Sequence, residues 1–158
     1  MKKLSALLLL PLATTLTFGC GHSEIPDAEA CEHFPEGPFE PVEATADAAD
    51  APTVDQVHVA YQINLSPDGP VYVAFAADEA NEFFFYASEA VPMEFLVDGS
   101  AVTPEESCET GGCSEECDLI ESRAVLDLEA GSVTVGLGPG EGMVMLLVEE
   151  GGAHDHEH

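Results

Sequence analysis

The chain has 158 residues, of which 31 are Asp or Glu and only 3 are Lys or Arg, for a formal net charge of -28. A surface so acidic repels phosphate backbones and anionic headgroups, which excludes nucleic-acid binding and makes cations the partners that its field favours. The length suits one modest domain with its own core and is too short for two.

Met1-Lys2-Lys3 precede an apolar run from Leu4 to Leu16 and a small-residue boundary at Gly19-Cys20. These are the three regions of a signal peptide, here residues 1–19. The run is interrupted by Pro11 and is shorter than the roughly 20 residues a membrane-spanning helix needs. Thr17-Phe18-Gly19-Cys20 resembles the lipobox of bacterial lipoproteins, with Thr17 where Leu is usual and Phe18 where Ala or Ser is common. The resemblance implies cleavage before Cys20, diacylglycerol on its thiol, and a membrane contact made through that lipid. Gly21, standing where Asp would hold a lipoprotein at the inner membrane, implies the outer membrane of the cell envelope, on its periplasmic or surface face. Once Lys2 and Lys3 are lost, Arg123 is the only fixed positive side chain. Cysteine arithmetic agrees: in an oxidising compartment 5 cysteines leave one unpaired, and lipidation of Cys20 accounts for it.

Residues 20–55 are rich in Pro, Ala, Asp and Glu, without an apolar run at helical or strand spacing, and read as a disordered acidic tether. Only Ala30-Cys31-Glu32-His33-Phe34-Pro35 is expected to dock on the domain, because Cys31 needs a partner and Phe34 and Phe39 offer apolar grip. From residue 56 the pattern changes to strict alternation. Val57, Val59, Tyr61, Ile63 and Leu65 fall on one face, with His58, Gln62 and Asn64 on the other, as in a half-buried strand. Ser66-Pro67-Asp68-Gly69-Pro70 is turn chemistry. Val71, Val73 and Phe75 then alternate up to a turn at Asp78-Glu79-Ala80-Asn81, which makes a hairpin. Phe83-Phe84-Phe85-Tyr86 is aromatic on both faces, as suits an interior strand. Met93, Phe95 and Val97 alternate up to Asp98-Gly99-Ser100, with Ala101-Val102-Thr103 pairing back. Beyond the cysteine-rich loop come Ala124, Leu126 and Leu128, then Val133, Val135 and Leu137, then the run from Met143 to Val148, each separated by Gly-containing turns. Seven or eight short strands at this spacing, with no segment at helical period, predict an all-β antiparallel sandwich of Greek-key or jelly-roll type over residues 56–149. Residues 150–158 form a His-rich tail.

The order Val-Tyr-Val-Ala-Phe at 71–75, Phe-Phe-Phe-Tyr at 83–86 and Leu-Glu-Ala-Gly-Ser-Val-Thr-Val-Gly-Leu at 128–137 resembles the bacterial pre-peptidase C-terminal domain and its small sandwich relatives. Ser132-Val133 stands where that family usually has Thr-Tyr. The whole chain is also similar to small lipoproteins that carry Cys-Glu-His near the mature N-terminus and a His-rich end. Neither resemblance implies an enzymatic reaction.

Four segments hold groups that can do chemistry. The end of the chain, His154-Asp155-His156-Glu157-His158, alternates imidazoles with carboxylates. Neutral imidazole is a good ligand for zinc, nickel and copper(II), so these five residues are the first metal-binding candidates. His33, His58 and Glu32 are a second set, if the docked segment brings His33 beside His58. Cys31, Cys108, Cys113 and Cys117 either pair or bind metal. Their spacings lack the two-residue gap of a zinc knuckle, and an oxidising compartment favours pairing. Of the three connectivities, Cys108 with Cys113 closes a small loop through Gly111-Gly112, and Cys31 with Cys117 pins the tether. The nucleophile elbow, the paired-His zinc helix, the phosphate loop and the dinucleotide turn are all missing from the sequence, so a non-enzyme is expected. The leading expectation is a lipoprotein that captures a transition metal for a neighbouring transporter or regulator. The alternative is an interaction module that binds an envelope protein or polysaccharide through exposed aromatics such as Tyr72 and Phe84.

Overall fold

The computed structural model of the chain describes residues 26–151. It opens with a helix, α1 (Asp27–Glu36), which begins with Asp27 and Glu29 in its first turn, where carboxylates meet the positive end of the helix dipole. The helix ends at Gly37, whose φ of 77° suits a residue without a side chain and whose N–H donates to His33 O at 2.9 Å. Asp27, Ala30 and Phe34, three and four residues apart, form its buried face.

Eleven strands follow: β1 (Phe39–Val42), β2 (Thr53–Val54), β3 (Ala60–Asn64), β4 (Val71–Ala77), β5 (Asn81–Ala87), β6 (Met93–Val97), β7 (Ser100–Val102), β8 (Glu106–Cys108), β9 (Ser122–Leu128), β10 (Gly131–Leu137) and β11 (Met143–Glu150). A 3-10 turn (Ala48–Asp50) lies between β1 and β2, its start capped by Asp47, whose carboxylate accepts from the Ala49 N–H at 3.0 Å. The strands form two packed sheets, of order β1-β3-β11-β5-β9-β8 and β2-β4-β10-β6-β7. The all-β sandwich is as the alternation predicts.

The alternating positions supply the core between the sheets. Phe75, Phe83, Phe85 and Phe95 meet edge to face there, with ring centroids 5.1 to 5.8 Å apart. Val73, Val133, Val135, Leu137, Val144, Leu146 and Val148 are among the side chains that pack around them. At the middle of the six-stranded sheet the intervening residues do not face water either. Phe84, Tyr86, Val125 and Leu147 pack under α1 and the cysteine loop with Ala30, Phe34, Cys113, Cys117 and Ile120. Helix and loop thus form a third layer, which explains why β5 is aromatic on both faces. Phe84, expected to be an exposed docking aromatic, is 3% exposed for this reason.

Three expectations are corrected. The disordered tether of residues 20–55 is folded from residue 26 onward: it supplies α1 and two strands that pair in parallel, β1 with β3 and β2 with β4. Both strands lie at sheet edges, where Pro41 costs no ladder hydrogen bond. The domain therefore begins well before residue 56, and eleven strands replace seven or eight. Finally, the strand expected from Val57 starts at Ala60, because His58 has a φ of 61° and breaks the extended run.

Candidate metal centre

Two contacts fix α1 over the sheet. Cys31 is bonded to Cys117 and Cys108 to Cys113, with Cα separations of 5.5 and 5.7 Å, the connectivity chosen from the sequence. At the start of the helix the buried Asp27 carboxylate receives the Arg123 guanidinium at 3.0 and 3.3 Å and the Tyr86 hydroxyl at 2.9 Å. Burial first, and then the neighbouring Asp27 carboxylate, push the Tyr86 hydroxyl far above its ordinary value, so it remains a donor. Arg123, the only Lys or Arg among the described residues, thus anchors the helix, with Glu106 3.8 Å from its other nitrogen.

This anchorage presents Glu29 and His33, one helical turn apart, to His58. One donor atom from each of the three lies within 4.8 Å of the others. Glu29 Oε1 is 4.0 Å from His33 Nε2 and 3.7 Å from His58 Nδ1. The two imidazoles stand 5.3 Å apart between centroids and are tilted by 47°. Ligands bound tetrahedrally at about 2.0 to 2.1 Å lie roughly 3.3 Å from one another, so closing separations of 4.8 Å or less by up to about 1.5 Å would seat an ion in the set. His33 Nδ1 is 3.2 Å from Gly37 O; donating there leaves the Nε2 lone pair facing the cluster, the arrangement that metal-bound histidines usually show.

His58 is held differently. Its left-handed backbone is unfavourable for a residue with a side chain by about 1 to 2 kcal/mol, and it persists because its N–H donates to Val148 O at 3.1 Å. Its Nδ1 contacts Glu149 Oε2, and Glu149 is completely buried. Contact with that carboxylate raises the His58 pKa above 6.5, burial opposes the rise in part, and the charges of Glu149, Glu29 and Glu150 add to it. Because the folded value exceeds the unfolded one, the stability that this pairing contributes is fully present below about pH 6.5 and is lost as pH rises through the folded pKa. In imidazole NMR titrations of the metal-free protein, His58 should have its midpoint above 6.5, and Glu149→Gln should lower it; a midpoint at or below 6.5 in the wild-type chain would contradict the pairing.

Of the residues singled out in the sequence, His33 and His58 lie side by side, the condition on which the second set depends. Glu32 does not join them: it is exposed, one residue and so about 100° round the helix from His33, and Glu29 takes its place. The signal for Glu29 is the spacing Glu-x-x-x-His, which has meaning only on a helix. Cys20 and the tail residues His154, Asp155, His156, Glu157 and His158 lie outside the described residues. Among the described residues no helix is long and apolar enough to cross a membrane, and no other three His, Cys, Asp or Glu side chains converge as these do. No protein-family model matches the chain, and no curated protein matches it.

Proposed function

We propose that this chain is a lipid-anchored, non-enzymatic protein of the bacterial cell envelope that captures a divalent transition metal, zinc, nickel or copper(II). The observation that carries the reading is the convergence of Glu29, His33 and His58 at the join between α1 and the sandwich. Two imidazoles and a carboxylate suit such ions better than the all-oxygen shells of calcium or magnesium. The 31 acidic residues, against 3 Lys and Arg, draw cations towards the site. Residues 17–20 support the lipid anchor, and the tail histidines are a second supply of donors for the same ions. A neighbouring metal transporter is the fitting recipient.

The test is calorimetric titration of the oxidised, lipid-free protein with each metal. The full chain is compared with a chain ending at Ala153 and with a His33→Ala/His58→Ala variant. Sub-micromolar binding that the double substitution weakens at least about 100-fold is the expected result. If the double variant binds like wild type, the helix-side centre is not the capture site; if the truncated chain alone loses binding, capture belongs to the tail.

A further inference from the structure

We infer that Glu149 is the fourth ligand of the Glu29, His33 and His58 centre, and that the completed set of two nitrogens and two oxygens takes a zinc-class divalent ion. The inference rests on the metal-capture reading and adds to it the ligand that is not visible as part of the exposed cluster.

Glu149 lies on β11 opposite Phe84 of β5, on the sheet face that α1 covers, and none of its surface reaches solvent. A carboxylate so placed requires a cation or several hydrogen-bond donors, because its hydration is lost completely. Donors are missing: Glu149 Oε1 has no hydrogen-bond partner among the described residues. Fixed side-chain cations are missing as well. The sequence has three Lys and Arg in all; Arg123 is engaged by Asp27 and Glu106, and Lys2 and Lys3 belong to the signal-like segment. What Glu149 does touch is Nδ1 of His58, the nitrogen that also stands 3.7 Å from Glu29 Oε1. An ion seated on His58 Nδ1 would therefore meet Glu149 from the buried side, and Glu29 and His33 from the helix side.

The completed set has definite chemistry. Two carboxylates neutralise a divalent ion, so the loaded centre adds no net charge to a partly buried place. Two imidazoles exclude calcium and magnesium, which prefer oxygen alone. Copper(I) is disfavoured because it prefers sulfur, and the nearby cysteines are all in disulfides. Four mixed nitrogen and oxygen ligands are a tetrahedral zinc shell. The ion would also link β11, the segment before β3, and α1, three pieces of chain that otherwise meet through packing, the hydrogen bond from His58 N–H to Val148 O and the contacts of His58 with Glu29 and Glu149.

The test uses the mature, oxidised protein in detergent, with zinc affinity measured by competition with a chromophoric chelator and coordination read from the visible spectrum of the cobalt(II) form. Glu149→Gln keeps the shape of the side chain and removes the charged ligand. It should lower zinc affinity about 100-fold and weaken the intense four-coordinate cobalt bands. Glu149→Asp, which keeps the charge but withdraws the oxygens, serves if the Gln variant does not fold, and should lose affinity in the same direction. If both Glu149 variants hold zinc within about threefold of wild type while His33→Ala/His58→Ala does not, then Glu149 is only the counter-charge of the His58 ring, and this inference fails while the capture reading stands. If the double His variant also binds like wild type, both fail.

Discussion

Replacing Cys31 and Cys117 together with serine should lower the stability of the protein by about 4 to 5 kcal/mol, the largest effect expected of any local change. The bond joins residues 86 apart, and without it the unfolded chain regains the freedom of a loop of that length. The Cys108 and Cys113 bond closes a separation of only 5, so its removal should cost about 2 kcal/mol by the same rule. Chemical denaturation of both double-serine variants checks the contrast. Equal losses would mean that native packing in the cysteine loop, and not chain entropy, decides the cost. Loss of the long bond has a second consequence. A ten-residue helix does not persist in water without docking, and Cys31 lies between Glu29 and His33. The same variant should therefore lose metal affinity, whereas the Cys108 and Cys113 variant should keep most of it.

Arg123→Met should destabilise the fold by about 3 kcal/mol. The substitution roughly keeps the volume of the side chain but leaves the Asp27 carboxylate, which is 6% exposed, with Tyr86 as its remaining partner. An uncompensated buried charge costs more than the pair contributes, so adding Asp27→Asn to Arg123→Met should restore part of the loss. Denaturation of the two single variants and the double variant gives the cycle. A loss below about 1 kcal/mol for Arg123→Met would place the pair with ordinary surface ion pairs. In a chain with a net charge of -28, a strong effect would explain why one arginine is retained under the helix: it holds in place the turn that carries Glu29.

The two halves of the candidate site differ in how they are held, and this bears on capture and release. Glu149 and His58 sit on the sandwich, one on a central strand and the other just before β3. Glu29 and His33 belong to α1, whose attachment consists of the disulfide, the Asp27 contacts and two apolar residues, Ala30 and Phe34. Metal would thus tie a separately docked helix to a rigid frame. Loading should slow exchange of the α1 amides without changing that of the interior strands β5 and β10.

The sandwich was legible in the sequence because a strand with one buried face shows itself through side chains two residues apart, a purely local pattern. Thus β4, β6, β9 and β10 stand where alternation puts them, and β5 and β11 where continuous apolar runs do. Cysteine number and spacing carried the pairing for a similar reason: few arrangements satisfy four thiols. Tertiary structure alone decided the rest. β1 and β2 are short edge strands without alternation, formed by pairing in parallel with β3 and β4, which are distant in sequence. α1 carries too few apolar residues and too late a proline to show a helical period, and it exists because the sheet, Arg123 and Cys117 receive it. The candidate site inherits that dependence. Glu29 approaches His33 only if residues 27–36 are helical, His58 meets both only because its backbone turns left-handed beside Val148, and Glu149, a polar residue at the end of a strand, is buried only because the helix lies across it. Contacts between groups far apart along the chain leave no periodic trace in it, so donors at positions 29, 33, 58 and 149 become one set only when the third layer closes on the sheet.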